Sequence, residues 1–299
     1  MHELEITSNA TVRTYFETKY VPSNLNLSDT AAEQYRIALR QLDKFNSVPV
    51  KLTELSESLV LGFVRWCIAS GRSERTANNK RQAVLTLWRH AANETKLISA
   101  PPKIAKVIEP GRIVQAWTIE EVSRLLDAVA FCTEVRGWDA RHWRALILVI
   151  YDTSHRIGAV LKATRDALDM RRGTLLLKAE WTKQKRDILH KLHPDTLAAL
   201  SALPQTKSPL LFCWPLRRRA IWDAFRMILA AAGLRATRKD LFHKLRRTSF
   251  TYVFALLGEQ AARDHAGHAT NLTASYLDKQ LLSELRETPS PVDVLPRPK

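Results

Sequence analysis

The sequence has little of what marks a secreted, membrane-bound or cysteine-rich protein. Its three cysteines (Cys67, Cys132 and Cys213) lie far apart and form no CxxC pair, which argues against a disulfide framework. We expect them to be small buried hydrophobes in a reducing compartment. No apolar run approaches the roughly 18 residues of a membrane helix, and the first residues lack the basic start and apolar core of a signal peptide. These absences predict a soluble, cytoplasmic protein.

Acidic residues are scarce relative to basic ones: 46 Lys and Arg face 30 Asp and Glu, which gives a formal charge of +16 and a pI near 10. Half of this excess lies between positions 211 and 250, where ten basic residues face two acidic ones. Such a balance favours a polyanionic partner, although a solvated basic surface has the same composition. At 299 residues, the chain can bury the cores of two ordinary domains.

Helical periodicity dominates the first hundred residues. Apolar side chains recur at helical spacing after Ser28, from Thr53 to Ser70 and from Ser73 to Glu94. This pattern predicts a small helical bundle over residues 1–98 with basic polar faces. The candidates for nucleic-acid contact on these faces are Arg75, Lys80 and Arg81.

Proline and glycine then interrupt the helical pattern. Two consecutive prolines at 101–102 and the pair Pro110-Gly111 predict an extended linker over residues 99–116. Its Lys103 and Lys106 could follow a phosphate backbone, although exposed linkers are often basic without a function. The four prolines of residues 287–299 predict an extended or disordered tail.

The second half of the chain mixes two periodicities. Thr118 to Glu121 has capping-box spacing before an amphipathic helix, and Trp138 to Tyr151 predicts a buried helix. Short apolar runs over 173–178 and 187–192 predict a β-hairpin or small sheet. Helices are expected again near Pro194, Arg219, Asp240 and Asn271. The whole chain is therefore predicted to be mainly α with a small β-sheet, its second domain being mixed α/β over residues 117–286.

Cationic motifs follow one another through this second domain. Arg156 comes directly after the predicted buried helix, and Lys183 and Lys185 lie between the two predicted strands. His243 and Arg246 are three residues apart, so they share one face of a helix. A guanidinium stays charged and can reach two phosphate oxygens together, which suits phosphoryl chemistry.

A phenol stands at the end of this series. Gly267-His268 is followed after eight residues by Tyr276. A phenol can attack a phosphodiester and hold the product covalently when cations stabilise the charge on the phosphoryl oxygens. Each motif is common in purely structural settings, so the order of the whole set carries the information.

This ordered set resembles the tyrosine recombinases, also called phage integrases, over roughly residues 115–285. The resemblance implies an N-terminal helical core-binding domain and an α/β catalytic domain that cleaves and rejoins double-stranded DNA through a 3′-phosphotyrosine link. It further implies that the reaction needs no cofactor, metal or ATP. The free protein would be a monomer and would form a homotetramer on DNA.

The resemblance also implies a role for each motif residue. Arg156 and Arg246 would hold the scissile phosphate, and Tyr276 would be the nucleophile. His243 would supply a hydrogen bond or a proton, and His268 would hydrogen-bond the scissile phosphate. Lys183 would protonate the departing 5′ oxygen, with Lys185 as the alternative general acid. Further DNA contacts are expected from Lys185, Arg217, Arg218, Arg219 and Arg247.

Two positions depart from the family pattern. Ala159 stands where an acidic residue usually follows the first arginine by three positions, and Tyr276 follows His268 by eight residues where many members have nine. Two alternatives therefore stay open: a type IB topoisomerase-like enzyme, and an integrase-like DNA-binding protein whose site has decayed. His265 and His268 could also form a metal pair, but no further ligand has matching spacing, so we expect no metal.

Overall fold

The structure is a computed structural model of the chain, and it describes residues 7, 9–111, 113–131, 134–183, 185–238, 240–267, 277–278 and 281. The chain divides into two units on either side of Gly111. Within the described ranges, no helix combines the length and apolar character needed to cross a membrane.

Serine caps begin the three long helices of the first unit. Ser28, Ser56 and Ser73 each accept a hydrogen bond from the backbone N–H three residues later, at 3.2–3.3 Å. Such caps satisfy N–H groups that a helix leaves unpaired at its start. The helices are α1 Val12–Tyr15, α2 Val21–Ser23, α3 Asp29–Asn46, α4 Glu57–Ala69 and α5 Glu74–Thr95, with a π-helical stretch Phe16–Tyr20 joining α1 to α2. The predicted helical bundle is confirmed.

Apolar faces of α3, α4 and α5 form the core of this unit. Leu39, Leu42, Phe63, Val84 and Leu85 are all essentially inaccessible to solvent. Their spacing within each helix is that of a single buried stripe, as the sequence pattern predicts.

The segment that follows α5 has no helix, as predicted, but it lies along α5. The Trp88 indole donates to the carbonyl of Ser99 at 2.8 Å, and the Asn78 amide exchanges bonds with the backbone of Val107 at 2.8 and 3.0 Å. Ile104 is buried in the same core. Residues 99–107 are therefore packed onto the first unit.

The second unit is built around α7 Ala140–Thr153. This helix is buried along most of its length and packs against α6 Ile119–Ala130, α9 Pro194–Ser201 and α11 Phe242–His265. The other α-helices in the described part of this unit are α8 Ile157–Val160 and α10 Arg218–Ala231, with short 3-10 helices at Arg165–Ala167 and Ala179–Trp181. The capping box predicted for α6 is present: Thr118 and Glu121 each bond the other's backbone N–H, at 3.0 and 3.3 Å.

Some predicted helix boundaries were wrong: α4 begins at Glu57 rather than near Thr53, and α7 lies two residues later than predicted at each end. The buried helix begins at Ala140 rather than Trp138, because Asp139 caps it through the backbone N–H of His142 at 3.2 Å. Trp138–Asp139 instead form strand β2, antiparallel to β1 Glu134–Val135.

The predicted β-hairpin is confirmed and carries a third short strand. Strands β3 Leu168–Asp169, β4 Thr174–Leu177 and β5 Ile188–Lys191 form one antiparallel sheet in that order. Leu175 is paired with His190, so both point to the buried face. A strand of two residues has too little alternation to be recognised in the sequence.

The cysteine expectation was wrong at one position. Cys67 is buried, but Cys213 is exposed because its neighbours Leu211 and Phe212 occupy the core positions of that segment. Cys132, the helix predicted near Asn271 and the proline-rich tail lie outside the described residues.

We expect trypsin to cut the free protein at Arg112 before it cuts at Lys103 or Lys106. Cleavage needs local unfolding, and the two lysines lie in the segment bonded to α5, whereas Ile113 is 82% exposed. Mass spectrometry of the earliest fragments measures the order. A first cut at Lys103 or within residues 120–260 would contradict this division of the chain.

Candidate active site

A tight turn at the end of α7 sets the position of Arg156. Ser154 ends the helix in the left-handed conformation, at φ 50°, and Arg156 then precedes the first turn of α8. Thr153 and Ser154 are fully buried, whereas Arg156 is half-buried. The reversal therefore brings the arginine from the core to the surface within three residues.

Arg246 joins this turn to another. Its side chain is 0% exposed, and its guanidinium donates to the carbonyl of Ser154 and, at 3.2 Å, to the carbonyl of Ala266. The Ser154 hydroxyl adds a 2.7 Å bond to the hydroxyl of Ser249 on α11. One buried cation thus links the turn before Arg156 to the turn that leads into His268.

His243 lies one helical turn before Arg246, at the surface. Partial desolvation of its ring, followed by the positive charges of Arg246 and Arg156, lowers its pKa. These effects therefore favour the neutral form of the imidazole. His243 and Arg156 line the same cavity, of about 690 Å³.

Lys183 and Lys185 are both exposed and line a second cavity, of about 350 Å³. Arg156 lines this cavity too, so the predicted lysine loop and the predicted first arginine share one depression. The turn is held by Thr182, whose hydroxyl bonds to the carbonyls of Ala179 and Arg186, each at 3.2 Å. Both lysines remain candidates for the general acid.

Ala159 also lines the lysine cavity and is buried on α8. Its methyl group offers no acceptor to the neighbouring cations. The cavity does contain one carboxylate, that of Glu180.

Three histidines are packed edge to face beneath Arg156. The ring centroids of His155 and His190 are 4.9 Å apart, and those of His190 and His265 are 5.5 Å apart. Burial lowers the pKa of His155 to about 2, with further contributions from His190 and Arg246. Burial, followed by His265 and Arg246, lowers the pKa of His190 to about 3. Burial and the charge of Arg246 also lower the pKa of His265, so protonation of all three rings is disfavoured beside Arg246.

Sequence reasoning missed His190 and treated His265 only as a possible metal ligand. The available signal was the alternation of β5, which places His190 on the same face as the buried leucines of β4. Within the described residues, no three His, Cys, Asp or Glu side chains form a group that could hold a metal ion.

Gly267 places the next turn directly on β5. Its φ is 65°, and a Cβ at this position would overlap the side chain of Ile188 and lie 3.7 Å from the His155 ring. Only glycine fits this conformation and this approach without rearrangement. His268 and Tyr276 themselves lie outside the described residues.

The chain is anchored again just after position 276. Leu277 and Asp278 are buried. Asp278 accepts from the backbone N–H of Ala116 at 2.7 Å, and its own N–H donates to Thr251 at 3.2 Å. The segment 268–276 is thus bounded by two fixed points, Gly267 and Leu277.

The other predicted DNA-contacting residues divide into two groups. Seven are exposed: Arg75, Lys103, Lys106, Lys185, Arg217, Arg218 and Arg219. Three are engaged inside their own unit. Lys80 is only 8% exposed, Arg81 donates to the carbonyl of Ile104, and Arg247 donates to the carbonyls of Gln115 and His243.

Known proteins resemble both units. A family model for the phage integrase SAM-like domain matches residues 11–107. A putative tyrosine recombinase XerC of Pseudomonas aeruginosa is 23% identical over 191 residues, which are 60% of this chain and 45% of that protein. The chain thus spans less than half the length of that curated relative.

Solved structures share the fold at low sequence identity. A lambda integrase tetramer bound to a Holliday junction has a TM-score of 0.71 at 14% identity, covering 93% of this chain and 80% of that chain. The XerH site-specific recombinase bound to palindromic difH has a TM-score of 0.66 at 20% identity, covering 91% and 81%. The chain therefore has the tyrosine recombinase fold, and the resemblance inferred from its motifs is confirmed.

We expect the second unit to lose stability as the pH falls below about 6.5. Unfolded histidines bind protons near that pH, whereas His155 and His190 stay neutral in the fold, so protonation favours the unfolded state. The cost at pH 5.5 is on the order of 1 kcal/mol for each histidine. Urea denaturation at pH 7.5 and 5.5 measures it. The double variant His155→Leu, His190→Leu should show a smaller decline, and an equal decline would contradict this origin.

Proposed function

We propose that this protein is a site-specific DNA recombinase that cleaves and rejoins double-stranded DNA through Tyr276. The observation that carries the proposal is the convergence at Arg246. Its guanidinium links the Arg156 turn to the Gly267 turn, although these segments are about a hundred residues apart in the chain. The lysine loop opens onto the same depression.

The proposed reaction is an exchange of phosphodiesters. The Tyr276 oxygen attacks the scissile phosphorus, the bond from phosphorus to the 5′ oxygen breaks, and a 3′-phosphotyrosine link remains. Neutral His243 is suited to take the phenolic proton, and a lysine of the 183–185 loop returns a proton to the 5′ oxygen. A 5′ hydroxyl of a partner duplex then attacks the phosphotyrosine, and the bond from phosphorus to the Tyr276 oxygen breaks. The proton of the hydroxyl passes to the phenolate, which releases the enzyme without metal or ATP.

Arg156 and Arg246 differ in their access to a bound phosphate. Arg156 reaches both cavities and can contact a phosphate directly. Arg246 is fully buried, and two of its five N–H groups are bonded to backbone carbonyls, so direct contact with the phosphate requires DNA binding to uncover its guanidinium. Until then, Arg246 supplies positive potential from behind the site.

We further propose that the protein is a monomer when free and a homotetramer on DNA. Strand exchange cuts and joins two duplexes, each at two strands, which requires four nucleophiles. The solved lambda integrase that shares this fold is a tetramer on a Holliday junction.

Ala159 favours a second candidate function, DNA binding without cleavage. Its buried methyl group removes the acidic side chain usual in the family, and no other acidic residue of α8 replaces it. A type IB topoisomerase-like reaction is a further alternative, in which the same strand is religated. Joining of two separate duplexes distinguishes recombination from relaxation of a single plasmid.

Tyr276→Phe should abolish covalent attachment to a nicked suicide duplex taken from the DNA that flanks the gene. The substitution removes one oxygen and keeps the ring, so folding and DNA affinity should change little. Tyr252→Phe, a matched loss of one phenolic oxygen on α11, is the control and should keep attachment. Covalent complexes separated on denaturing gels give the readout. Attachment by Tyr276→Phe would place the nucleophile elsewhere, and attachment by neither the wild type nor the control would favour the non-cleaving candidate.

A change of the leaving group in the substrate should distinguish the roles of Lys183 and Lys185. Sulfur in place of the 5′ bridging oxygen departs without a proton, so it removes the need for a general acid. We expect Lys183→Ala to slow cleavage of the oxygen substrate by about 10²–10⁴-fold and to cleave the sulfur substrate at nearly the wild-type rate. Lys185→Ala should affect both substrates equally. The reverse pattern in single-turnover assays would make Lys185 the acid.

A further inference from the structure

We propose that the cavity shared by Arg156 and His243 binds the DNA phosphodiester next to the scissile one on the same strand. This proposal rests on the proposed function, since it adds a second phosphate site to the same active centre. The cavity, called here the arginine cavity, has a volume of about 690 Å³. Its cationic lining consists of Arg156, Arg218, Arg219, Arg226 and Arg238.

The charge of the arginine cavity is unbalanced. Asp223 is the one carboxylate among its described lining residues, and this group is paired with Arg226 at 2.5 Å. Among the described residues, Arg218, Arg219 and Arg238 form no ion pair with an acidic side chain. Like charges held together repel one another, so the cavity favours an anionic occupant.

Gly158 brings one of these cations to the Arg156 turn. A Cβ on Gly158 would lie 2.7 Å from an Nη atom of Arg218, so the guanidinium rests against the backbone two residues after Arg156. The other side of Arg218 faces the ring of Trp222, at 5.7 Å from the ring centroid. The absence of a side chain at position 158 therefore lets a second guanidinium lie beside the first.

The position of the cavity identifies its occupant. Arg156, Gly158 and Arg218 line both the arginine cavity and the lysine cavity, so the two depressions meet at Arg156. A DNA strand carries one phosphate per roughly 3.4 Å of helix axis. A scissile phosphate held by Arg156 has a neighbouring phosphate on each side along the strand, and we assign one of these neighbours to the arginine cavity. Free inorganic phosphate offers the same anionic oxygens, but it differs from a DNA phosphodiester in having no effect on the salt dependence of duplex binding.

The test compares Arg218→Ala, Arg238→Ala with Arg171→Ala, Arg172→Ala. Both double variants remove two exposed arginines of the second unit, but Arg171 and Arg172 lie on the β3–β4 turn and line neither cavity. Fluorescence anisotropy with a labelled duplex, at about 50 to 200 mM salt, gives the slope of log affinity against log salt. We expect the cavity variant to lower this slope by about one. The control should leave it unchanged.

A third variant removes no charge. Gly158→Ala should push the end of the Arg218 side chain away from the Arg156 turn, so duplex affinity should fall while the net charge stays the same. On a duplex that the wild type cleaves, an uncharged methylphosphonate next to the scissile phosphate should weaken binding of the wild type. The same replacement should not weaken binding of the cavity variant.

Equal slopes for the cavity variant and its control would overturn the phosphodiester site and leave the recombinase proposal standing. A second result to look for, given equal duplex slopes, is that inorganic phosphate raises the melting temperature of the wild type and not that of the cavity variant. That result would assign the cavity to a free anion. A wild type that binds no duplex at any salt would overturn both proposals. Circular dichroism confirms that each variant is folded.

Discussion

The buried charge of Arg246 is the constraint on which the second unit depends. A guanidinium cannot lose its proton in a protein, so burying it completely requires acceptors placed around it. Ser154 and Ala266 supply backbone carbonyls, and both are available only because the chain ends a helix at each of these points. The cation therefore fixes two helix ends relative to α11. Removal of the Arg246 guanidinium would leave both carbonyls without donors and would release both turns. A substitution of Arg246 would therefore change folding and phosphate chemistry together.

Neutral groups fill the space behind this charge. His155, His190 and His265 are polar enough to face a cation, yet burial and the charge itself keep them unprotonated. Gly267 lies against Ile188 and the ring of His155. Positive charge is thus retained at Arg246 and towards solvent at Arg156, and is excluded from the layer between β5 and α11. This separation lets one small region hold many basic residues without losing its fold.

Ala159 stands at the position where the resemblance to tyrosine recombinases predicts an acidic residue. Ala159 leaves the α8 side of the lysine cavity apolar, while the histidine layer lies directly beneath the same turn. The low identity to every described relative, 14 to 23%, is consistent with such a change, because a shared fold tolerates different supporting residues around the same cations. Gly267 and Leu277, which lie on either side of Tyr276 in the sequence, are both packed into the second unit.

Local signals in the sequence were enough to determine the class of fold. Helical and strand periodicities and the serine caps of α3, α4 and α5 each depend only on nearby residues. The same local signals could not tell which basic residues are exposed. Arg246 and Arg247 are adjacent in the sequence, yet Arg246 is fully buried and Arg247 is only partly buried. Nor could they reveal that His155, His190 and His265 meet, since these residues lie on three elements that only long-range packing brings together. The sequence determined which chemical groups the site contains; the tertiary structure decided which of them carry charge, which are shielded and which share a cavity, because burial and distance set electrostatic energies.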